Sequence, residues 1–225
     1  MVRQARSEVT RQKIIYAAVD VFTHVGYDAT SLSDIIDRVG FTKGALYYHF
    51  DSKESLARAI VTEGATVVTA AFAGITSAPA PALENVIHGV FVVADLLRTD
   101  RLAGTAVRLA RAQGDFSDSA SEAYNVWLQA LSAQTAKAQE QGDIRDAVDP
   151  MAVSESILAA VLGLELLSSA ISGGTDPISR LTRTWEVLLP AIANQDALPY
   201  FQEYLARESM RHAGQALTID TKPQQ

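Results

Sequence analysis

Cysteine is absent from all 225 residues. That excludes disulfides, thiolate metal sites and cysteine nucleophiles, and nothing marks the chain for an oxidising compartment. No run of about 18 uncharged apolar residues is found, which argues against a membrane span. The most apolar region, 156–171, is interrupted by Glu165. The opening MVRQARSEVTRQK has charge but no apolar core behind it, so it lacks the form of a secretory signal. A cytoplasmic location is the expectation. Also missing are a glycine-rich phosphate loop, a nucleophile elbow and a paired-carboxylate motif. The four histidines, His24, His49, His88 and His212, fall on different predicted helices without metal-ligand spacing. No catalytic site, cofactor or metal site is therefore expected.

Positive charge is scarce too. The formal net charge is −7, which would ordinarily argue against nucleic acid, because affinity for DNA comes largely from neutralising phosphates. The distribution changes that reading. Residues 1–60 carry 8 Lys/Arg against 7 Asp/Glu, a net +1, while the remainder carries 11 against 19, a net −8. An acidic body behind a slightly basic head suggests that only the head meets DNA.

What the chain does contain is helical periodicity from end to end, with no strand alternation and no internal repeat, so the fold class is all-α. Residues 1–9 read as a polar, basic arm carrying Arg3 and Arg6. Thr10–His24 shows one apolar face through Ile14, Ala17, Ala18, Val21 and Phe22, and Gly26 ends that helix. The stretch LSDIIDRVGFTKGALYYHF, from Leu32 to Phe50, reads as two short helices around a tight turn. Leu32, Ile35, Ile36, Val39, Ala45, Leu46 and Phe50 can pack the pair together, leaving Lys43, Tyr47, Tyr48 and His49 on the second helix. Gly40 suits a turn that needs positive φ, Thr30 or Ser31 caps the first helix and Thr42 the second. This is the pattern of a DNA-binding helix-turn-helix.

Asp51 and Glu54 have capping-box spacing ahead of a helix from Ser52 to Ile75, weakened only by Gly64 and Gly74. Further helices are predicted over Leu83–Leu97, Leu102–Ala112, Ser119–Gln141, Pro150–Ser172, from Pro177 through Leu189, and Leu198–His212, with a disordered tail after Gly214. The Pro150–Ser172 helix is apolar on nearly all sides, so it must be covered on more than one face. Either it is internal, or it joins the helix at 177–192 in a four-helix dimer interface.

From Ile14 to Leu56 the sequence strongly resembles the tetracycline-repressor (TetR) family of bacterial transcription regulators. The Gly26-Tyr27 turn, Thr30, the Gly40 turn, Thr42-Lys43-Gly44, Tyr47, His49-Phe50 and Lys53 match in order and spacing. The resemblance implies an all-helical homodimer with a three-helix DNA-binding head and a larger C-terminal ligand-binding and dimerisation domain. Here these correspond to 1–52 and 53–214, followed by the tail at 215–225. The whole chain resembles the γ-butyrolactone receptors of actinomycetes through RQARSEVTRQKII, TKGALYYHF, the VRLA at 107–110 and Trp127. That implies a repressor of secondary-metabolite or signalling genes, released from DNA by a small lactone-like signal. The alternative is a TetR-type repressor sensing an unrelated antibiotic, drug or fatty acyl compound.

In a helix-turn-helix the second helix enters the major groove, so Lys43 is the candidate for guanine O6 or N7. Gly44 permits close approach, Tyr47 and His49 suit phosphate, and Tyr48 suits sugar or a thymine methyl. Thr30, Ser31, Thr42 and Lys53 can hold the backbone. Structural roles compete: either tyrosine can fill the seam against the next helix, His49 can be a packed histidine, and Lys53 a solvated first-turn lysine. For the ligand, Trp127 offers an apolar face and one N–H donor, with Leu83, Phe91, Val107, Leu131 and Leu162 as further lining, although a stripe of this kind is also plain core. The helix at 52–75 joins head to body and is the expected moving element. An enzyme is disfavoured by the missing motifs, and an architectural DNA-packaging protein by the acidic body.

Overall fold

The computed structural model describes residues 2–40, 42–112 and 117–219. Among these, ten helices run α1 (Val2–Val25), α2 (Leu32–Val39), α3 (Lys43–His49), α4 (Lys53–Thr76), α5 (Ala82–Thr99), α6 (Arg101–Ala112), α7 (Ser117–Glu140), α8 (Pro150–Ser172), α9 (Pro177–Ile192) and α10 (Leu198–Ile219). The all-α expectation holds. The one extended feature described is an isolated bridge between Ile144 and Ala193.

The chain divides into two compact units, Met1–Val68 with Thr99–Tyr124, and Thr69–Arg98 with Asn125–Gln225. In the first, Ile14, Ile15, Ala18 and Phe22 of α1 join Ile35, Leu46, Phe50, Leu56, Ile60 and Leu109 in one buried cluster. In the second, Leu83, Ile87 and Phe91 of α5, Leu131 of α7, Val153 and Ile157 of α8, Leu181, Trp185 and Leu189 of α9, and Phe201 of α10 are buried. Trp185 is thus a core residue. A buried Thr135 hydroxyl ties α7 to α8 through the Ser154 hydroxyl and the Pro150 carbonyl, at 3.0 Å each.

Four local expectations change. Residues 2–9 are helical, because Arg, Gln, Ala and Glu are good helix formers and no glycine or proline interrupts them before Gly26. Arg3 and Arg6 therefore ride on a helix. The cap of α4 is a reciprocal Ser52–Ser55 pair, each amide donating to the other's hydroxyl at 3.1–3.2 Å, in place of Asp51 and Glu54. Helix α10 continues past His212 to Ile219; residues 220–225 of the expected tail lie outside the described residues. By length and mean hydropathy α4 and α8 are each apolar enough to cross a membrane, which run length alone did not suggest. In α4 that apolarity serves packing, with Leu56, Ile60, Val61, Val68 and Phe72 buried.

The two glycines of α4 are not equivalent. A Cβ on Gly64 would stand 2.2 Å from the Ala106 Cβ and 3.0 Å from the Leu102 carbonyl oxygen, whereas one on Gly74 meets nothing within 4 Å. Both would gain helix propensity of about 1 kcal/mol as alanine. At position 64 overpacking against a neighbouring backbone costs about 1–3 kcal/mol and outweighs it. Urea unfolding should therefore show Gly64→Ala less stable than the parent chain and Gly74→Ala more stable by about 0.5–1 kcal/mol. Equal gains at both positions would mean that α6 yields freely to α4.

Candidate functional site

The turn and caps that present α3 form as the sequence suggests. The Ser31 hydroxyl accepts from the Asp34 amide at 3.3 Å, while the Ser31 amide donates to the Asp34 carboxylate at 2.7 Å. The Ser31 amide, joined by the Ser31 hydroxyl donating to the same carboxylate at 2.8 Å, holds the Asp34 carboxyl below its ordinary range. Gly40 closes α2 in the left-handed region, φ 68°, with its amide on the Ile36 carbonyl. Thr42 caps α3, its hydroxyl accepting from the Ala45 amide at 3.2 Å. Leu46 then points into the core, and Thr42, Lys43, Gly44, Tyr47 and Tyr48 are left exposed. Tyr48 is 78% accessible and Tyr47 54%, so neither fills a seam. Half-buried His49 makes an edge contact with Tyr48, centroids 5.0 Å apart, and a tilted one with Phe50.

Two of the expected contact residues are committed inward. Thr30 is 3% exposed and its hydroxyl donates to the Gly26 carbonyl at 2.6 Å. The Lys53 ammonium donates to the Tyr27 carbonyl at 3.0 Å and lies 4.3 Å from the centre of the Tyr27 ring, which packs edge-on against Phe22. Lys53 thus staples the start of α4 to the α1–α2 turn by a hydrogen bond and a cation–π contact. Other cations of the head are also paired: Arg11 with Glu63 at 2.5 Å, and Arg38 with Asp20 at 2.9 Å. The Arg38 hydrogen bond is the main reason the Asp20 carboxyl titrates low.

The expected ligand residues are partly brought together. Trp127 and Leu131 share a face of α7; Trp127 is half-buried and its indole N–H donates to the Thr69 hydroxyl at 3.1 Å. Leu162 is half-buried on α8. Leu83 and Phe91 are fully buried, and Phe91 stacks on His212 with centroids 5.4 Å apart. Val107 belongs to the other compact unit. Sequence reasoning missed Gln134, whose side-chain oxygen is buried without a hydrogen-bond partner among the described residues. It follows Trp127 by seven residues and so falls on the same face of α7, the spacing by which it could have been found. Sequence reasoning also treated the histidines as scattered, but the fold brings His88 and His212 together with Glu208.

Helices α8 and α9 bury one side and leave Leu166, Leu167, Ile171 and Val187 exposed. The alternative of a wholly internal α8 is thereby overturned: its inward face is Val153, Ser154, Ile157, Val161 and Ser168. A groove of about 430 Å³ runs along the pair, lined by Leu164, Arg180, Thr184, Val187 and Leu188 among others. The hairpin is fixed at Asp176, whose carboxylate accepts from Arg180 at 2.9 Å and from the Ser172 hydroxyl, contacts that hold it far below the usual carboxylate range.

Residues 14–60 match the family model for bacterial regulatory proteins of the tetR family, and residues 101–185 that for the tetracycline-repressor-like C-terminal domain. The chain is also 32% identical to the A-factor receptor protein of Streptomyces griseus over 202 residues, 90% of this chain and 70% of that protein. The chain belongs to the TetR family. As a TetR-family protein it is a DNA-binding transcription regulator. Solved structures of similar fold include a γ-butyrolactone receptor described as ArpA-like, at TM-score 0.75 and 26% identity, covering 92% of this chain and 99% of that one. CprB of Streptomyces coelicolor in complex with its operator gives 0.74 and 27%, covering 92% and 99%.

Proposed function

We propose that this TetR-family chain is a homodimeric repressor that sits on a pseudo-palindromic operator until a small γ-butyrolactone-like signal binds, so controlling secondary-metabolite or signalling genes. The observation that carries the reading is similarity to the A-factor receptor along 90% of the chain, together with the exposed Lys43–Tyr48 surface. Residues 1–52 are the DNA-binding head, 53–214 the ligand-binding and dimerisation region. The regulator has no catalytic role and acts in the cytoplasm.

On DNA, Lys43 and Gly44 approach base edges, Tyr47, Tyr48 and His49 meet sugar and phosphate, and Ser31 and Thr42 offer helix N-termini to phosphates. Thr30 and Lys53 act by holding the turns. Two heads must lie about 34–36 Å apart, or a multiple of it, to read successive major grooves. A ligand releases DNA only by as much as it prefers a state with the wrong spacing. The α7 face of Trp127, Leu131 and Gln134, with Leu162 of α8, is the proposed ligand surface. Leu83 and Phe91 support it from the core. The orphaned Gln134 oxygen can accept a hydrogen bond from a ligand hydroxyl, which would remove the penalty of leaving it unpaired.

A mobility-shift titration tests this. The protein should bind DNA from upstream of its own coding region at nanomolar concentration and leave it when a γ-butyrolactone is added. Trp127→Ala should keep DNA binding and lose the response. DNA binding indifferent to any γ-butyrolactone, yet relieved by an unrelated antibiotic or acyl compound, would replace the proposed effector.

A further inference from the structure

We propose that His88, Glu208 and His212 form a binding site for a divalent transition cation, with Zn(II) the ion their donor atoms suit. Glu208 and His212 lie one turn apart on α10 and His88 comes from α5, and the three donor atoms lie within 4.8 Å of one another. Glu208 and His212 are 1% and 3% exposed. A carboxylate and an imidazole at such depth require partners on every polar atom.

One atom lacks a hydrogen-bond partner. The His212 Nδ1–H donates to the Asp95 carboxylate, which turns the other ring nitrogen, Nε2, toward Glu208. That Nε2 is buried and has no hydrogen bond among the described residues. It faces the Glu208 Oε2 at 3.6 Å. A divalent cation between Nε2 and this carboxylate oxygen would bind both atoms at once, displacing any proton held there. The same carboxylate oxygen receives the His88 Nδ1–H at 2.7 Å, while Arg211 holds the other oxygen, Oε1, at 2.8 Å. The Glu208 charge also acts on its neighbour Tyr204, whose hydroxyl is pushed up to about 12 by burial first and by Glu208 second.

Zinc bonds of about 2.0–2.2 Å in a tetrahedron place neighbouring donors roughly 3.3 Å apart. The His212–Glu208 separation already approximates this, and the His88–Glu208 contact must open by about 0.6 Å as the metal replaces the shared proton. Two imidazoles and one carboxylate favour zinc or a neighbouring transition ion over magnesium or calcium, which take oxygen ligands. Asp95 supplies the outer-shell hydrogen bond that orients a ligating histidine. The His88 side chain is 28% exposed and gives the ion its way in. Bound there, the metal clamps α10 to α5 beside Phe91. This inference rests on the cluster alone and holds whatever effector the regulator senses.

The test uses the full chain without an affinity tag, stripped with a chelator and titrated with Zn(II) against a chromophoric competitor. One ion per chain at micromolar or tighter affinity is expected, weakening as pH falls because protons compete with the metal for the ligand atoms. Asp95→Asn should weaken binding about 10–100-fold and His88→Gln by at least as much, with the helical circular dichroism retained. Should either variant unfold, Co(II) loaded into the parent chain decides the matter, since a tetrahedral nitrogen and oxygen set gives intense visible bands. Absence of stoichiometric uptake, affinity unchanged in His88→Gln, or a Co(II) spectrum of octahedral type would each overturn the proposal.

Discussion

Replacing Lys43 and Tyr47 together by alanine should lower operator affinity by about 100-fold or more at moderate salt. A lysine reading guanine contributes about 1–3 kcal/mol of discrimination, and the loss of a cation that meets DNA flattens the dependence of log K on log salt by about 0.9 per phosphate neutralised. Both effects are readable in one fluorescence-anisotropy series. Stability should be unaffected, because Lys43 and Tyr47 are exposed while the elements that hold α3, the Thr42 cap and buried Leu46, are untouched. Lys53→Ala provides the contrast. It breaks the hydrogen bond and ring contact to Tyr27, so it should lower the melting temperature as well as DNA binding. Unchanged operator binding by the Lys43 and Tyr47 double variant would mean that another surface reads the DNA.

The second large effect concerns the proposed dimer. Ile171 and Val187 are 68% and 74% exposed in the single chain, on the α8–α9 pair that carries the groove. Isolated exposed apolar residues are ordinary, but a group that includes Leu166 and Leu167 as well marks a surface awaiting a partner. Ile171→Arg with Val187→Arg puts two unpaired like charges on each side of that surface. Burying them would cost several kcal/mol, enough to shift the dimerisation constant by more than 100-fold. Sedimentation at micromolar concentration should find a folded monomer, and operator binding should collapse with it, since one head spans too few base pairs. A dimer that survives both substitutions would place the interface elsewhere.

Much of this architecture is legible in the residues. Helical periodicity located every described helix, and to within a few positions apart from the start of α1 and the end of α10, because most carry a continuous buried face and α1, α2, α7 and α8 stop just before a glycine. Within the head, the capping chemistry of Ser31 and Thr42 and the left-handed Gly40 could be read directly, being local. What could not be read was long-range. Nothing near Lys53 announces that its ammonium turns back to a carbonyl 26 residues earlier, and His88 meets Glu208 across 120 residues. Burial was the other obscurity. Leu83 and Phe91 have the spacing of a pocket wall, but that spacing equally describes the solid core they belong to.

The Lys53 staple has a mechanical consequence. At about 1.5 Å per residue, the 24-residue α4 is a rod of roughly 36 Å, gripped at its first residue by the Gly26–Tyr27 turn. A turn of its first residues would carry the α1–α2 turn along through the Lys53 hydrogen bond and ring contact. Torque from an effector would thus reorient the head as one solid piece, and hydrogen exchange in α2 and α3 should be the same with and without the effector. On the proposed mechanism, release from DNA would then be a matter of aim, with two intact heads pointing the wrong way.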